Sequence, residues 1–298
     1  RDSIHSASIK LVVKADGLAS GKGVFIPDSK DECITAAELI FSGKFGDSGN
    51  TVVIEEKIEG PEVSVFALCD GERFILLPTA QDHKRLKDGD KGPNTGGMGA
   101  YSPAPLLTKD DLNRIIKEII IPTIDELNKK NIDYKGVIYF GLMITKFGPK
   151  VIEYNCRFGD PECQTIMPLM DQNFVFLLEK CSMGNLTGAE TIDTTAKVSG
   201  CIVATSKGYP HEYKTGFPIK IGNIDSFDCQ IFDSGTSFSN NGELLTDGGR
   251  VLSVVCQDKD FDIVFEKAYK NLKKINFSGI YFRNDIGHQV RKNFSKEN

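Results

Sequence analysis

The stretch "KVIEYNCRFGDPE" (residues 150–162) decides how the chain is interpreted. Its first six residues have the character of a β-strand, so Glu153 and Asn155, two positions apart, project from the same face. Both side chains offer hard oxygen atoms, which Mg²⁺ prefers when it bridges phosphate groups. Burying Glu153 without a partner would be costly, so a cation or an arginine is expected opposite it. The spacing predicts a divalent metal site on this strand.

Arg157 extends the same face two residues further along the chain. Its guanidinium is suited to bind a carboxylate or a phosphate as a bidentate fork. A structural salt bridge that uses Glu153 and Arg157 is the alternative, and the sequence leaves it open.

A glycine-rich loop, "KADGLASGKG" (14–23), lies between the apolar runs "IKLVVK" (9–14) and "VFI" (24–26), which predicts a strand–loop–strand hairpin. Glycines let consecutive backbone amides cradle phosphates while a lysine supplies charge. The loop is not a Walker A motif, because Gly17 and Gly21 are separated by three residues instead of four and Gly23 replaces the required Ser or Thr. A flexible surface hairpin is the alternative.

Two further stretches are rich in charged or polar residues. In "EEKIEGPEVSV" (55–65), the backbone around 56–58 is suited to read an adenine edge, with a carboxylate holding the ribose hydroxyls. The region 81–105 lacks periodicity and is expected to be a long functional loop, with a basic cluster in "QDHKR" and a nest for an anion at Asn94, Thr95, Gly96 and Gly97. Solvated charges are the alternative for both stretches.

The remaining pattern predicts alternating helices and strands. We expect a helix over 30–42 after a Ser29–Glu32 capping box, a strand over 51–56, and a hairpin around Asp70–Gly71. A helix kinked at Pro122 should span about 108–130, followed by strands at 136–145 and 150–155 and a helical region ending near Gly184. A linker at 184–196 then leads to a small α+β domain of short strands with a helix at about 260–273.

Composition excludes several classes of protein. With 298 residues and 40% hydrophobic content the chain is long enough for two domains, and a net charge of −5 argues against binding to nucleic acid or an anionic membrane. Eight cysteines without a C-x-x-C pair predict reduced thiols, and four scattered histidines leave metal binding to oxygen ligands, which favours Mg²⁺ or Mn²⁺ over Zn²⁺. No run is long enough for a membrane helix and no signal peptide opens the chain, so a cytoplasmic location is expected.

Taken together, the motifs resemble those of glycinamide ribonucleotide synthetase, also called phosphoribosylamine-glycine ligase. The stretches that carry the resemblance occur in the family's order and approximate spacing: "VVKADGLASGKGV", "VIEEKIEGPEVS", "QDHKRLKDGDKGPNTGGMGAYSPAP", "YFGLMI", "VIEYNCRFGDPECQ", "SKGYP" and "GGRVLSVV". The resemblance implies an α+β, ATP-grasp fold, in which two subdomains grip ATP, followed by a small mostly β domain. The implied bounds are 1–60 for the small lid subdomain, incomplete at its start, 61–187 for the large subdomain with the metal site, and 195–292 for the last domain.

The resemblance also implies a reaction. Glycine would be ligated to 5-phosphoribosylamine through glycyl phosphate, giving glycinamide ribonucleotide, ADP and phosphate in de novo purine biosynthesis. The cofactors would be ATP and Mg²⁺ or Mn²⁺, and in some organisms the family is fused to other purine-pathway domains. The family's first domain is expected to precede Arg1, so the 298-residue piece is expected to turn over weakly or not at all by itself.

By the same resemblance, site residues are expected in four groups. The nucleotide would contact Lys14, Gly17, Gly21, Lys22, Gly23, Glu55, Glu56, Ile58 and Glu62; the substrates would contact Asp82, His83, Lys84, Asn94, Thr95, Gly96, Gly97, Arg157 and Asp160; the metal would be held by Glu153 and Asn155; and Lys22 and Arg157 would be catalytic. The preceding strand, "GLMIT" (141–145), offers no carboxylate for a second metal. Another ATP-grasp carboxylate-amine ligase, a related purine-pathway carboxylase and a non-catalytic nucleotide-binding module are the alternatives.

Overall fold

The computed structural model describes residues 2–17, 19, 23–170, 174–186, 197–224 and 228–292. The chain divides into two units, residues 1–60 and 61–298. Within the described ranges, no helix combines the length and the apolar character needed to cross a membrane.

The first unit is a three-stranded antiparallel sheet covered by one long helix. Its elements are α1 (Asp2–Ser6), β1 (Leu11–Ala15), β2 (Val24–Phe25), α2 (Lys30–Leu39) and β3 (Val52–Glu56), with strand order β2-β1-β3. The Ser29 hydroxyl caps α2 by accepting the Glu32 amide N–H at 3.2 Å. Leu11 and Val13 are buried with Cys33 and Ala36 of α2. The predicted hairpin and the predicted capped helix are confirmed.

The second unit begins with a four-stranded antiparallel sheet, in the order β11-β10-β4-β5. Its strands are β4 (Glu62–Cys69), β5 (Phe74–Leu76), β10 (Gly136–Thr145) and β11 (Gly148–Asn155). The helices beside it are α3 (Lys109–Ile115), α4 (Ile121–Lys129), α5 (Glu162–Ile166) and α6 (Phe174–Ser182). The predicted strands at 136–145 and 150–155 and the hairpin after β4 are therefore confirmed.

Alternate residues of β4 separate two cores. Val63, Val65 and Ala67 are buried with the helical region 109–129 on one face of the sheet. Phe66 and Leu68 are buried with α5 and α6 on the other. Along this second face, Glu62 and Ser64 continue the same row toward the start of the strand, so the face changes from apolar to polar within one strand.

The helix predicted over about 108–130 is continuous, because the backbone angles at both of its internal junctions, Ile115–Ile116 and Ile120–Ile121, are right-handed helical. A π-helical turn at Ile116–Ile120 separates α3 from α4, and Pro122 lies in the first turn of α4. The π-helical turn lies directly before Pro122, whose missing N–H removes one hydrogen bond of the helix, and the kink at Pro122 stays a prediction.

The region 81–105 contains regular structure, so the expectation of an unstructured loop was wrong. It contains β6 (Gln81–Asp82), β7 (Arg85–Lys87), β8 (Lys91–Asn94) and β9 (Gly99–Ser102). β7 and β8 form a hairpin, whereas β6 and β9 join the sheet of the carboxyl-terminal region. Strands of two to four residues are too short to reveal a period of two in the sequence.

That carboxyl-terminal sheet has the order β14-β17-β12-β9-β6. The remaining elements are β12 (Val198–Ser206), β13 (Lys220–Ile221), β14 (Cys229–Asp233), β15 (Thr236–Phe238), β16 (Leu244–Thr246), β17 (Arg250–Asp258), α7 (Phe261–Leu272), β18 (Ile275–Asn276) and β19 (Ile280–Tyr281). The Asp260 side chain caps α7 by accepting the Asp262 amide N–H at 2.8 Å. The proposed boundary near 184–196 stays a prediction, since strands from both sides of it share this sheet and residues 187–196 lie outside the described ranges.

Two cysteines depart from the expectation of reduced thiols. Cys229 of β14 and Cys256 of β17 are directly opposite in register and form a disulfide. The other six cysteines are free thiols. The prediction was therefore wrong for this pair, because the residues that bring the two sulfur atoms together are 27 positions apart in the chain.

A buried arginine fastens the β7–β8 hairpin to the end of the second unit. Arg283, with 0% of its side chain exposed, donates to both carboxylate oxygens of Asp285 at 2.7 and 2.8 Å. It also donates to Asp90 at 2.9 Å and to the Arg85 carbonyl oxygen at 3.0 Å. Two carboxylates thus offset the cost of burying the guanidinium.

We expect Arg283→Met to lower the free energy of unfolding of the second unit by about 3–5 kcal/mol, because Asp285 would be left as a buried charge without its partner. The control is Arg114→Met, which breaks an exposed pair with Glu118 and should lower the free energy of unfolding far less, because water screens exposed charges. Urea denaturation of both variants measures the difference. Equal losses in the two variants would show that Arg283 does not fasten the hairpin.

Candidate active site

The polar end of the β11-β10-β4 face carries the two predicted metal ligands. Glu153, Gly141 and Ser64 lie opposite one another across these strands, and Asn155, Tyr139 and Phe66 form the neighbouring row. Directly paired residues project to the same side of a sheet, so Glu153 and Asn155 share one face, as their spacing predicts. Asn155 Nδ2 donates to Glu153 Oε1 at 3.3 Å.

Glu153 is exposed and not buried within the strand, and the cation or arginine expected opposite it stays a prediction. A Cβ on Gly141 would lie 2.9 Å from Glu153 Cγ and 3.2 Å from Tyr139 Cε1. The glycine therefore leaves room for Glu153 to lie across β10. An exposed carboxylate in this position is accessible to an ion, and the metal role of Glu153 and Asn155 stays a prediction.

A buried carboxylate that the sequence did not single out lies on the same face. Glu162 is 4% exposed and accepts hydrogen bonds from the Ser64 hydroxyl at 3.0 Å and the Tyr139 hydroxyl at 3.2 Å. A Cβ on Gly159 would lie 2.4 Å from Glu162 Oε2, so this glycine makes room for the carboxylate. Its local signal in the sequence is that it begins α5, after the segment that follows β11.

Asp82 and Lys84 are brought to this face by a backbone bridge. Ser64 and Ala80 exchange two backbone hydrogen bonds, of 2.8 and 3.0 Å, which places the segment after Ala80 beside β4. Lys84 Nζ then lies 2.6 Å from the carboxylate of Glu62. Six ionisable or hydroxyl side chains therefore lie at one end of the sheet, together with Glu153 and Asn155: Glu62, Ser64, Asp82, Lys84, Tyr139 and Glu162.

Burial raises the pKa of Asp82 to about 7; the Lys84 ammonium opposes this rise, while Glu162 and Glu62 add to it. Burial lowers the pKa of Lys84, but Asp82 and Glu62 outweigh it and hold that pKa well above its usual value. Tyr139 has its pKa raised by burial and by Glu162. Near neutral pH the cluster thus contains a lysine that stays charged and an aspartate close to its titration midpoint.

His83 does not join this cluster, although the sequence placed it among the substrate ligands. It is 2% exposed, and its Nε2 accepts the Gly287 amide N–H at 2.9 Å. The burial pattern alternates from residue 81 to 84, so His83 faces the interior while Asp82 and Lys84 face the site. The structure assigns His83 to the core instead.

His83, Asp90 and His288 also offer three ligand atoms within 4.8 Å of one another. This group is nevertheless poorly suited to a metal. The bond from Gly287 to Nε2 leaves the proton of a neutral His83 on Nδ1, the atom that would have to coordinate. Asp90 is already neutralised by Arg283 at 2.9 Å.

The loop 94–97 does not offer the open anion nest that the sequence predicts. The Thr95 amide donates to the Lys84 carbonyl oxygen at 2.7 Å, the Gly96 amide to the Tyr209 hydroxyl at 2.8 Å, and the Gly97 amide to Thr95 Oγ1 at 3.0 Å. These three donors are engaged, so they are not available to an anion in this conformation. Asn94 pairs with Arg85 in the β7–β8 hairpin.

Arg157 and Asp160 lie in the segment after β11 and differ in their surroundings. Arg157 is exposed, and its Nη1 donates to the Phe158 carbonyl oxygen at 2.7 Å. Asp160 instead accepts from Arg250 Nη2 at 3.0 Å. Arg157 is therefore accessible to a ligand, whereas the Asp160 carboxylate already has a cationic partner.

In the first unit, Lys14 forms an ion pair with Glu55 on the face of the sheet away from α2. Glu56 follows Glu55 directly in β3 and projects to the opposite face, so only one of these glutamates lies beside Lys14.

The described glycines of the 14–23 loop are closely surrounded. A Cβ on Gly17 would lie 2.5 Å from Ser48 Cα, and one on Gly23 would lie 2.7 Å from Ala19 Cβ. Ile58 is half-buried. Gly21 and Lys22 lie outside the described residues.

Two family models match the chain: "Phosphoribosylglycinamide synthetase, ATP-grasp (A) domain" over residues 1–163 and "Phosphoribosylglycinamide synthetase, C domain" over residues 199–289. The chain belongs to the phosphoribosylglycinamide synthetase family. The predicted ATP-grasp, α+β fold is confirmed by this membership and by a solved phosphoribosylamine-glycine ligase from Thermotoga maritima. That structure is 35% identical, with a TM-score of 0.86 over 96% of this chain and 71% of its own.

Two other relatives of this chain are a ligase of the same name and a longer trifunctional protein. Phosphoribosylamine-glycine ligase of Leptospira interrogans serogroup Icterohaemorrhagiae serovar Lai is 43% identical over 96% of this chain and 67% of its own length. The trifunctional purine biosynthetic protein adenosine-3 of Bos taurus is 45% identical over 97% of this chain and 29% of its own. The chain thus spans about two thirds of the Leptospira ligase, and less of the trifunctional relative.

The cluster predicts how the Asp82 carboxyl should titrate. Its midpoint should lie near the pKa of about 7, should rise in Lys84→Met, which removes an opposite charge, and should fall in Glu162→Gln, which removes a like charge. Carbon-13 NMR of the aspartate carboxyls measures all three midpoints. Lys91→Met, at an exposed position of β8, is the control and should leave the midpoint unchanged. A midpoint near 4 in the unmodified chain would contradict the prediction.

Proposed function

We propose that this chain carries the nucleotide-binding and carboxyl-terminal parts of an enzyme that ligates glycine to 5-phosphoribosylamine. The reaction consumes ATP, passes through glycyl phosphate and gives glycinamide ribonucleotide, ADP and phosphate in de novo purine biosynthesis. The observation that carries the proposal is the polar end of the β11-β10-β4 face, where Glu153 and Asn155 lie together in a chain of the synthetase family.

A divalent ion fits the residues of this face. The carboxylate of Glu153 and the side-chain carbonyl oxygen of Asn155 supply the hard oxygen ligands that Mg²⁺ or Mn²⁺ takes, and Glu153 is exposed. Such an ion supplies charge neutralisation at the phosphates during phosphoryl transfer. Glu153 and Asn155 are the residues that would hold it.

The other residues of the proposal bind and orient the reactants. Lys14, Lys22 and the loop from Gly17 to Gly23 are assigned to the phosphates of ATP, and Glu55, Glu56, Ile58 and Glu62 to the adenosine. Arg157 is assigned to the reacting carboxylate or phosphate, because it is exposed and its guanidinium can donate two parallel hydrogen bonds to such a group. Positioning and charge neutralisation account for most catalysis of phosphoryl transfer, so no covalent role for the protein is needed.

Asp82 and Lys84 are assigned to the substrates, on the grounds that both face the cluster that contains Glu62 and Glu162. The nest at 94–97 and the side chain of His83 have no part in this proposal. In the trifunctional relatives the matching region occurs within a longer polypeptide. By analogy, this chain is proposed to be fused to other purine-pathway domains in its full-length protein. The cytoplasmic location stays a prediction.

The metal assignment is tested in the polypeptide that contains this chain. We expect Glu153→Gln and Asn155→Leu each to reduce Mg²⁺-dependent ATP use about 100-fold or more, because losing several kcal/mol of charge stabilisation corresponds to that factor. The control is Tyr154→Phe, on the opposite face of the same strand, which should retain activity. Unchanged metal dependence in both ligand variants would remove the assignment.

The substrate assignment needs a separate measurement. ADP release should require glycine and phosphoribosylamine together, and other small carboxylic acids should not replace glycine. Release of ADP with a different acid would favour another ATP-grasp carboxylate-amine ligase. Nucleotide binding without any ligation product would favour a non-catalytic module.

A further inference from the structure

Gly96 is held from both sides by the carboxyl-terminal region. Its amide N–H donates to the Tyr209 hydroxyl at 2.8 Å, and its carbonyl oxygen accepts from Arg250 Nη1 at 2.7 Å. A Cβ on Gly96 would lie 2.9 Å from Arg250 Cζ, so the guanidinium lies directly against the glycine. We call Tyr209 and Arg250, with these contacts, the Gly96 clamp.

Arg250 also binds the loop 157–162, which follows β11. Arg250 Nη1 donates to the Asp160 carbonyl oxygen at 2.6 Å, and Nη2 donates to the Asp160 carboxylate at 3.0 Å. The two loops also meet directly, since a Cβ on Gly97 would lie 2.5 Å from Pro161 Cδ. Arg250 therefore binds both loops at the point where their backbones touch.

Both clamp residues lie at one end of the β12–β17 strand pair in the carboxyl-terminal region. Arg250 is the first residue of β17, which pairs along its length with β12. Tyr209 lies in the turn after β12, and a Cβ on Gly249 would lie 2.3 Å from Tyr209 Cδ2, so the ring packs against the backbone next to Arg250. Arg250 is thus held by paired strands, and Tyr209 is held by its packing against the backbone next to Arg250.

Short paths connect the clamp to the polar cluster. Thr95, next to Gly96, donates both its amide and its hydroxyl to the Lys84 carbonyl oxygen, at 2.7 and 2.8 Å. On the other side, Glu162 is only two residues beyond Asp160 and reaches Ser64 and Tyr139. A shift of either loop would therefore move Lys84 or Glu162.

We propose that Tyr209 and Arg250 are positioning residues of the ligase. They fix the loops 94–97 and 157–162 against each other, and so set the place of Lys84 and Glu162 where the non-nucleotide substrates bind. This inference rests on the proposed function for its kinetic part and gives the carboxyl-terminal region a direct role in the site. The proposed role acts through Lys84 and Glu162 and needs no contact between either clamp residue and the reacting atoms.

The test compares Tyr209→Phe, which removes the hydroxyl acceptor and keeps the ring, with Arg250→Lys, which keeps the charge and removes the fork. In the full polypeptide, kcat/KM for glycine and phosphoribosylamine should fall about 10-fold and about 100-fold, respectively, because small misplacements of reacting groups are costly in rate. The KM for ATP should change less than about twofold. Hydrogen exchange of the Gly96 amide should become faster in Tyr209→Phe.

Matched controls separate positioning from general damage. Tyr213→Phe removes the hydroxyl of the ring beside Tyr209; the two ring centroids are 6.5 Å apart. Arg114→Lys replaces an arginine of α3 that pairs with Glu118. Both should keep normal kinetics and normal Gly96 exchange. Thermal midpoints of all four variants show whether each one is folded.

Three results would overturn the inference. The first is unchanged Gly96 exchange in Tyr209→Phe, which would mean that the hydroxyl does not hold the loop. The second is faster exchange with unchanged kcat/KM in both clamp variants, which would leave the contact a purely structural one. The third is a loss of ATP affinity equal to the loss for the other substrates. If the unmodified protein does not ligate glycine, the proposed function fails, whereas the exchange result still decides whether the clamp holds the loop.

Discussion

The site of the second unit depends on one constraint, the alternation of side chains along β4. Because successive residues of a strand project to opposite faces, Val63, Val65 and Ala67 belong to one core and Phe66 and Leu68 to another. Ser64 and Glu62 continue the second row, so any polar residue there must face the same side as Glu153 and Asn155 across the register. A shift of the register by one residue would turn Glu62 and Ser64 toward the isoleucines of the helical region 109–129, and the polar cluster would not form.

Burial of polar groups at this face is sustainable because each has a partner. Glu162 is stabilised by two hydroxyls, and Lys84 by Glu62, so the cluster avoids the large penalty of an unpaired buried charge. The partners do not cancel the charges completely, and the raised pKa of Asp82 is the consequence. The far end of the second unit follows the same logic, since Arg283 is fully buried only where two aspartates surround it.

The sequence was sufficient for features that depend on local spacing. Two residues at i and i+2 of a strand must share a face, which is why the placement of Glu153 and Asn155 was predictable. The same period separates His83 from Asp82 and Lys84, but it could be applied only if 81–85 had been recognised as extended, and the strands there are too short to show it. The group formed by Ser64, Tyr139 and Glu162 was beyond reach, since its members are up to 98 residues apart and only sheet register brings them together. The disulfide between Cys229 and Cys256 is hidden from the sequence for the same reason.

The carboxyl-terminal region is tied to this site through shared hydrogen bonds instead of mere proximity. β6 and β9, which flank the 83–98 segment, are strands of the carboxyl-terminal sheet, so this segment enters and leaves the sheet at fixed positions. Between those positions, the amides of Thr95, Gly96 and Gly97 are already satisfied within the protein. A loop whose donors are engaged before a ligand arrives has a defined shape and loses little conformational entropy on binding. Of these amides, that of Thr95 donates to the Lys84 carbonyl oxygen and so holds the backbone of Lys84 in place. The contact that closes the predicted anion nest therefore also helps to position the neighbouring lysine.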